Sequence, residues 1–122
     1  MKPPQRIAHS FSDALMGIVT ALREEKNMRI HFATLAALFG ASLYFRLNRI
    51  EWALVLLAAG LVITSEMLNS AVERAVDLAE PGFHPLAALS KQLAAGGVLI
   101  AALTSVAIGA LVFWPRLYAL LR

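Results

Sequence analysis

Glu66, Asn69, Glu73 and Asp77 follow one another at three- and four-residue spacing, directly after the uncharged run Trp52–Ser65. At about 100° per residue, a helix would carry all four within an arc of roughly 80° on one face. A carboxylate near the bilayer centre costs about 2.5–3.5 kcal/mol on insertion scales, so acids on an apolar helix are a functional-site hypothesis. Three on one stripe need a counter-charge, and the chemical candidate is a divalent metal. A second acidic pair, Glu24-Glu25, ends the preceding amphipathic segment. Oxygen ligands from separate elements, with no cysteine and no histidine pair, suit Mg²⁺, particularly where substrate phosphates complete the shell. Lys91 adds a point charge able to meet phosphate. Glu66, the deepest acid and the one shortest of water, suits a general base towards a hydroxyl. Base, metal and cation together describe phosphoryl transfer at a membrane surface.

Plainer readings exist for each residue alone. Glu73 with Arg74 or Lys91 would be an ordinary interfacial ion pair, and Asn69 an interhelical hydrogen-bond partner. Glu24 reads as solvated, and His31 and His84 as interface residues rather than ligands. The stripe taken whole is harder to explain in that way. No P-loop, glycine-rich phosphate loop or kinase catalytic-loop motif occurs, which excludes a soluble kinase fold.

The elements that must position the stripe are helices in a membrane. The chain has 122 residues, 59% hydrophobic and only 16% charged, too apolar for a soluble domain of this size. It reads as one all-α integral membrane domain over residues 1–122. Residues 5–28 form an amphipathic surface helix, with Ile7, Phe11, Ala14, Leu15, Ile18 and Leu22 on one face. Spans are expected over 30–47, 52–78 and 93–114. Tyr44 and Trp52 suit the interface, while Pro81, Gly82 and Pro85 make 79–85 a loop. The small residues Ala94 to Gly97 permit close helix approach. The N-terminal residues Met1 to Arg6 lack the apolar core of a cleavable signal. The net charge of +3 is scattered, which suits anionic lipid headgroups and argues against nucleic acid.

Lys and Arg set the expected orientation. With three spans, the N-terminal segment and the 79–92 loop share one side, which carries Lys2, Arg6, Arg23, Lys26, Arg29, Arg74 and Lys91. The other side has Arg46, Arg49, Arg116 and Arg122. The positive-inside rule therefore places the N-terminus and the acidic stripe in the cytoplasm and the C-terminus outside.

These residues carry a resemblance. Glu66-Met-Leu-Asn69-Ser-Ala-Val-Glu73 with Val76-Asp77 resembles the signature of the prokaryotic diacylglycerol kinase family, small integral membrane lipid kinases. The likeness extends to Ser10-Phe11, Ala14, Gly17-Ile18, Glu25-Lys-Asn27, Ile30-His31, Glu51-Trp52, His84-Pro85-Leu86-Ala87 and Lys91. The Asn27-Met-Arg-Ile-His31 and Glu51-Trp52 elements are most similar to the Gram-positive branch, whose members phosphorylate undecaprenol.

The resemblance implies an ATP- and Mg²⁺-dependent lipid-alcohol kinase in the bacterial inner or plasma membrane. Undecaprenol is the first candidate substrate and diacylglycerol the alternative. It makes Glu66 the general base, and Glu25 and Glu73 the holders of the metal on the ATP phosphates. Asn69 would orient the reacting groups, Asp77 support the site and Lys91 contact phosphate, with Arg6 and His84 near the nucleotide. It also implies a homotrimer with sites between neighbouring subunits, which would let Glu25 reach the stripe.

The chain departs from the family where Ser90-Lys91-Gln92 stands in place of Ala-Lys-Asp. Gln92 keeps a hydrogen-bonding group at the nucleotide position but lacks the charge. Ala88 also replaces a frequently basic residue. Two other function classes are open. One is an oligomeric transporter or ion-binding bundle using the acids as a proton or cation site. The other is a lipid-binding homologue inactivated at Gln92.

Overall fold

A computed structural model describes residues 2–122; Met1 lies outside them. Among the described residues there are four α-helices and no strand: α1 Pro3–Glu24, α2 Lys26–Tyr44, α3 Arg49–Ala79 and α4 Pro85–Leu121. Two of them, α3 and α4, are long and apolar enough to cross a membrane. α4 packs along α3, α2 packs on α3, and α1 meets α2.

The first helix starts on Pro3, where a missing N–H costs nothing. Gln5 Oε1 accepts from the Lys2 backbone N–H at 3.0 Å. The helix expected over 5–28 ends four residues early, at Glu24. Glu25 takes an extended conformation (φ −106°, ψ 113°), and α2 begins at Lys26. Neither proline nor glycine marks the break. Instead Arg29 reaches back and donates to the carbonyls of Leu22 and Arg23, at 3.2 and 2.9 Å. A cation on the last carbonyls of a helix is a C-terminal cap.

The turn after α2 is a Schellman motif. Arg46 lies in the left-handed region (φ 53°). Its N–H donates to Leu43 O at 3.3 Å, and Leu47 N–H donates to Ser42 O at 3.2 Å. α3 then opens on a capping box, in which Asn48 Oδ1 accepts from Glu51 N–H at 2.9 Å and Glu51 Oε1 accepts from Asn48 N–H at 3.2 Å. Around this turn Leu47, Val55 and Val112 are buried, with Leu38, Phe45, Trp52, Ile108 and Phe113 packed against them. Arg116 donates to both carboxylate oxygens of Glu51, fixing α4 to the start of α3.

The last helix is longer than the uncharged run 93–114. It begins at Pro85, capped by His84 Nδ1 accepting from Leu86 N–H at 3.1 Å, so Lys91 sits within the helix. It also passes through Pro115 to Leu121. Proline leaves a carbonyl one turn back without its donor. Arg116 Nη1 donates to Val112 O at 2.9 Å in this weakened turn, and its Nε donates to Phe45 O at 3.4 Å. The carbonyl that Pro115 deprives is that of Leu111, four residues back, so the guanidinium caps the neighbouring carbonyl and ties this turn to the end of α2. Midway, Ser105 Oγ donates to Ala58 O at 2.9 Å, a direct α4–α3 link.

Arg46 is the one non-glycine residue with positive φ among the described residues, and a side chain there costs roughly 1 kcal/mol. Arg46→Gly should therefore raise stability, by up to about 0.5 kcal/mol once glycine's extra chain entropy of about 0.5–1 kcal/mol is deducted. Equilibrium unfolding in mixed micelles measures this. A destabilised variant would mean that the arginine side chain matters more than the backbone strain.

Candidate functional site

α3 is a single helix from Arg49 to Ala79, so Glu66, Asn69, Glu73 and Asp77 share one face as their spacing requires. Their surroundings differ sharply. Glu66 is buried, with 4% of its surface exposed. Asn69 and Glu73 are half-buried, and Asp77 is exposed.

The three carboxylates also differ in what they meet. Glu66 Oε2 faces His31 Nε2 of α2 at 3.8 Å, beyond hydrogen-bond range. Among the described residues this is the only basic group within 4 Å of it. Asp77 Oδ1 accepts from Lys91 Nζ of α4 at 2.5 Å. Glu73 has no basic partner among the described residues. Its Oε1 accepts from Asn69 Nδ2 at 3.4 Å, a long contact one turn away. Asn69 Oδ1, on the same amide, is buried without a partner, and so is Ser70 Oγ. An unpaired polar atom at such a place costs free energy unless something else satisfies it.

Glu25 is brought to α3, though not to Glu73. Arg74 Nη2 donates to Glu24 Oε2 at 2.7 Å and to Glu25 Oε1 at 3.2 Å, tying the end of α1 to the outer part of α3. Glu24, read from sequence as solvated, is thus ion-paired while still largely exposed. Beside this clamp lies a pocket of about 240 Å³ lined by Gly17, Thr20, Glu25, Ser70 and Arg74. Among the described residues no three His, Asp or Glu side chains are gathered as a metal site.

The nucleotide candidates fall into two groups. Asp77, His84 and Lys91 line one cleft of about 180 Å³ at the α3–α4 turn. His84 Nδ1 is engaged there as the helix cap. Arg6, on the exposed first turns of α1, and Gln92, exposed on α4, do not line it. Sequence reasoning missed two contacts. Arg74 reads as an ion partner of its neighbour Glu73, but a helix turns adjacent residues about 100° apart, and its partners lie on α1 and at the α1–α2 break. His31 reads as an interface residue, yet it faces the most buried acid. The available signal was a histidine close to the start of an otherwise apolar helix.

The sequence profile of the family described as Prokaryotic diacylglycerol kinase matches residues 12–113. An undecaprenol kinase of Bacillus subtilis is 38% identical over 112 residues, covering 92% of this chain and 91% of that protein. A diacylglycerol kinase of Synechocystis is 37% identical, covering 92% of this chain and 65% of the relative. A diacylglycerol kinase of Helicobacter pylori is 33% identical over 75 residues, 62% of this chain and 52% of that protein. The matched region contains the entire acid-bearing helix and the Lys91 helix start, and on that ground the chain belongs to the prokaryotic diacylglycerol kinase family.

Proposed function

We propose that this protein transfers the γ-phosphoryl group of ATP to the hydroxyl of a membrane lipid alcohol, with undecaprenol the first candidate. The observation that carries the reading is the division of the stripe. One carboxylate is buried beside an imidazole, one is neutralised by lysine, and one is left without a cation next to an unsatisfied amide oxygen. The choice of lipid leans on the Bacillus relative, whose likeness covers nearly all of both chains.

In this mechanism Glu66 accepts the proton of the lipid hydroxyl as its oxygen attacks the γ-phosphorus in line. The bond from that phosphorus to the bridging oxygen breaks, and ADP leaves. Lys91 meets the phosphate charge from the cleft it shares with Asp77 and His84, and Asn69 orients the reacting groups. Glu73 and Glu25 are all-oxygen donors of the kind Mg²⁺ takes. The free oxygen of Asn69 beside Glu73 fits the same ion. When bound, Mg²⁺ would neutralise charge on the transferring phosphates.

The membrane placement follows from α3. A hydrocarbon layer of about 30 Å takes about 20 residues of helix. Counted from Trp52, this puts the inner boundary near Ala71. Glu66 then lies about 8 Å inside it, and Glu73 and Asp77 stand in the headgroup layer. We take α2, α3 and α4 as three spans of a single domain, with α1 on the cytoplasmic surface and the C-terminus outside. The plasma membrane suits this charge distribution. Glu25 faces Arg74 within one chain, and a homotrimer with sites between subunits would bring it towards the Glu73 of a neighbour. Native mass spectrometry from micelles should accordingly find trimers. Monomers alone would leave the proposed metal pair unassembled.

Phosphate transfer from labelled ATP to undecaprenol and to diacylglycerol, side by side in mixed micelles, tests the substrate. Undecaprenol should be preferred, and Glu66→Gln should lower kcat by at least about a hundredfold. Full activity in that variant would remove Glu66 from the mechanism. Faster turnover of diacylglycerol would reverse the choice of lipid.

Gln92 lies next to a lysine that already has a carboxylate partner in Asp77. The missing charge should therefore matter little. Gln92→Asp should change kcat/KM for ATP by less than about fivefold, the worth of one exposed ion pair. A larger gain would identify Gln92 as the residue that limits the enzyme.

A further inference from the structure

We propose that His31 holds the attacking hydroxyl of the lipid alcohol against Glu66, a positioning role that rests on Glu66 being the base. His31 Nε2 and Glu66 Oε2 face each other across 3.8 Å. That is too far for a direct hydrogen bond and suits one bridging oxygen at about 2.8 Å from each. A hydroxyl placed there gives its proton to Glu66. It accepts from the imidazole N–H through one lone pair and keeps the other for phosphorus. The imidazole neither gains nor loses a proton in the step.

Two further features favour this arrangement. Both groups stand on the rigid bodies of helices, α2 and α3, and both are largely removed from solvent, with side-chain exposures of 24% and 5%. Their separation is therefore fixed before the substrate arrives. His31 also borders an apolar cavity of about 100 Å³ running between α2, α3 and α4, walled by residues such as Leu38, Val55, Val62, Ile63 and Phe113. It is the only ionisable residue in that lining. The imidazole thus marks the junction between an apolar channel and the acid. A molecule with a hydrocarbon tail and one hydroxyl has the polarity that this junction matches.

A plain α2–α3 polar contact would leave kinetics alone once the protein is folded, so the test separates lipid from nucleotide. Lipid kinase activity is measured in mixed micelles at varied lipid alcohol and varied MgATP. His31→Leu keeps the bulk and removes the donor. It should lower kcat/KM for the lipid by about tenfold or more, with KM for ATP within about twofold of the parent. His31→Gln places an N–H at nearly the same reach and should retain at least about a third of the parent value. Where His31→Leu lacks helical circular dichroism in micelles, His31→Asn, too short to reach the gap, should show the same loss. The proposal is overturned if the donor-less variant stays within twofold of the parent, if His31→Gln falls as far, or if the loss lies in KM for ATP. Glu66→Gln in the same assay keeps the two ideas apart. Full activity there removes the base itself, whereas its loss alongside an unaffected His31→Leu removes only the role of His31.

Discussion

An acid on a helix long enough to cross a bilayer has to be met by a cation, and the architecture follows from where those meetings occur. A lone charge in hydrocarbon is expensive, so each carboxylate on α3 is either paired across to another helix or reserved for a ligand. Arg116 of α4 reaches Glu51 at the beginning of α3, and Lys91 of α4 reaches Asp77 near its end. The path from Glu51 to Asp77 is 26 residues, and that from Lys91 to Arg116 is 25. The two antiparallel helices are therefore pinned in one register at both ends, with the Ser105–Ala58 hydrogen bond between them. A slip of one residue would break both ion pairs at once.

That register has a consequence for the site. With the ends of α3 neutralised by α4, the remaining acids in the middle are handled by other elements. α2 brings His31 to Glu66, while the cation of α3 itself, Arg74, is met by Glu24 and Glu25 at the α1–α2 break. Glu73 is left over, backed only by an amide that itself has an unsatisfied oxygen. A structure built for stability alone would not leave a half-buried carboxylate and a buried amide oxygen in this condition. In the proposed reaction these are the groups that face ATP and its metal.

The break between α1 and α2 is a second point where local preference gives way to a distant requirement. Nothing in the residue types from Arg23 to Arg29 disfavours a continuous helix. Yet the helix stops where Glu24, its last residue, and Glu25 both accept from Arg74 of α3. The chain opens at Glu25, and Arg29 satisfies the carbonyls that the break exposes. Pro115 is the opposite case. A residue that ordinarily ends a helix lies within one, and the arginine beside it joins the same turn to Val112 O and to Glu51 of α3.

The sequence by itself determined the helical, apolar character of the chain, the one-sided stripe of Glu66, Asn69, Glu73 and Asp77, and the family. Each of these depends on composition or on spacing within a single helix, where 3.6 residues per turn is enough to place side chains. Only the tertiary structure decided which cation meets which acid. Arg74 and Glu24 are 50 residues apart and Arg116 and Glu51 are 65, separations over which periodicity carries no information. The break at Glu25, the passage through Pro115 and the position of His31 opposite Glu66 belong to the same class. Each answers an unpaired charge or backbone group on another element, which becomes visible only when the helices are packed together.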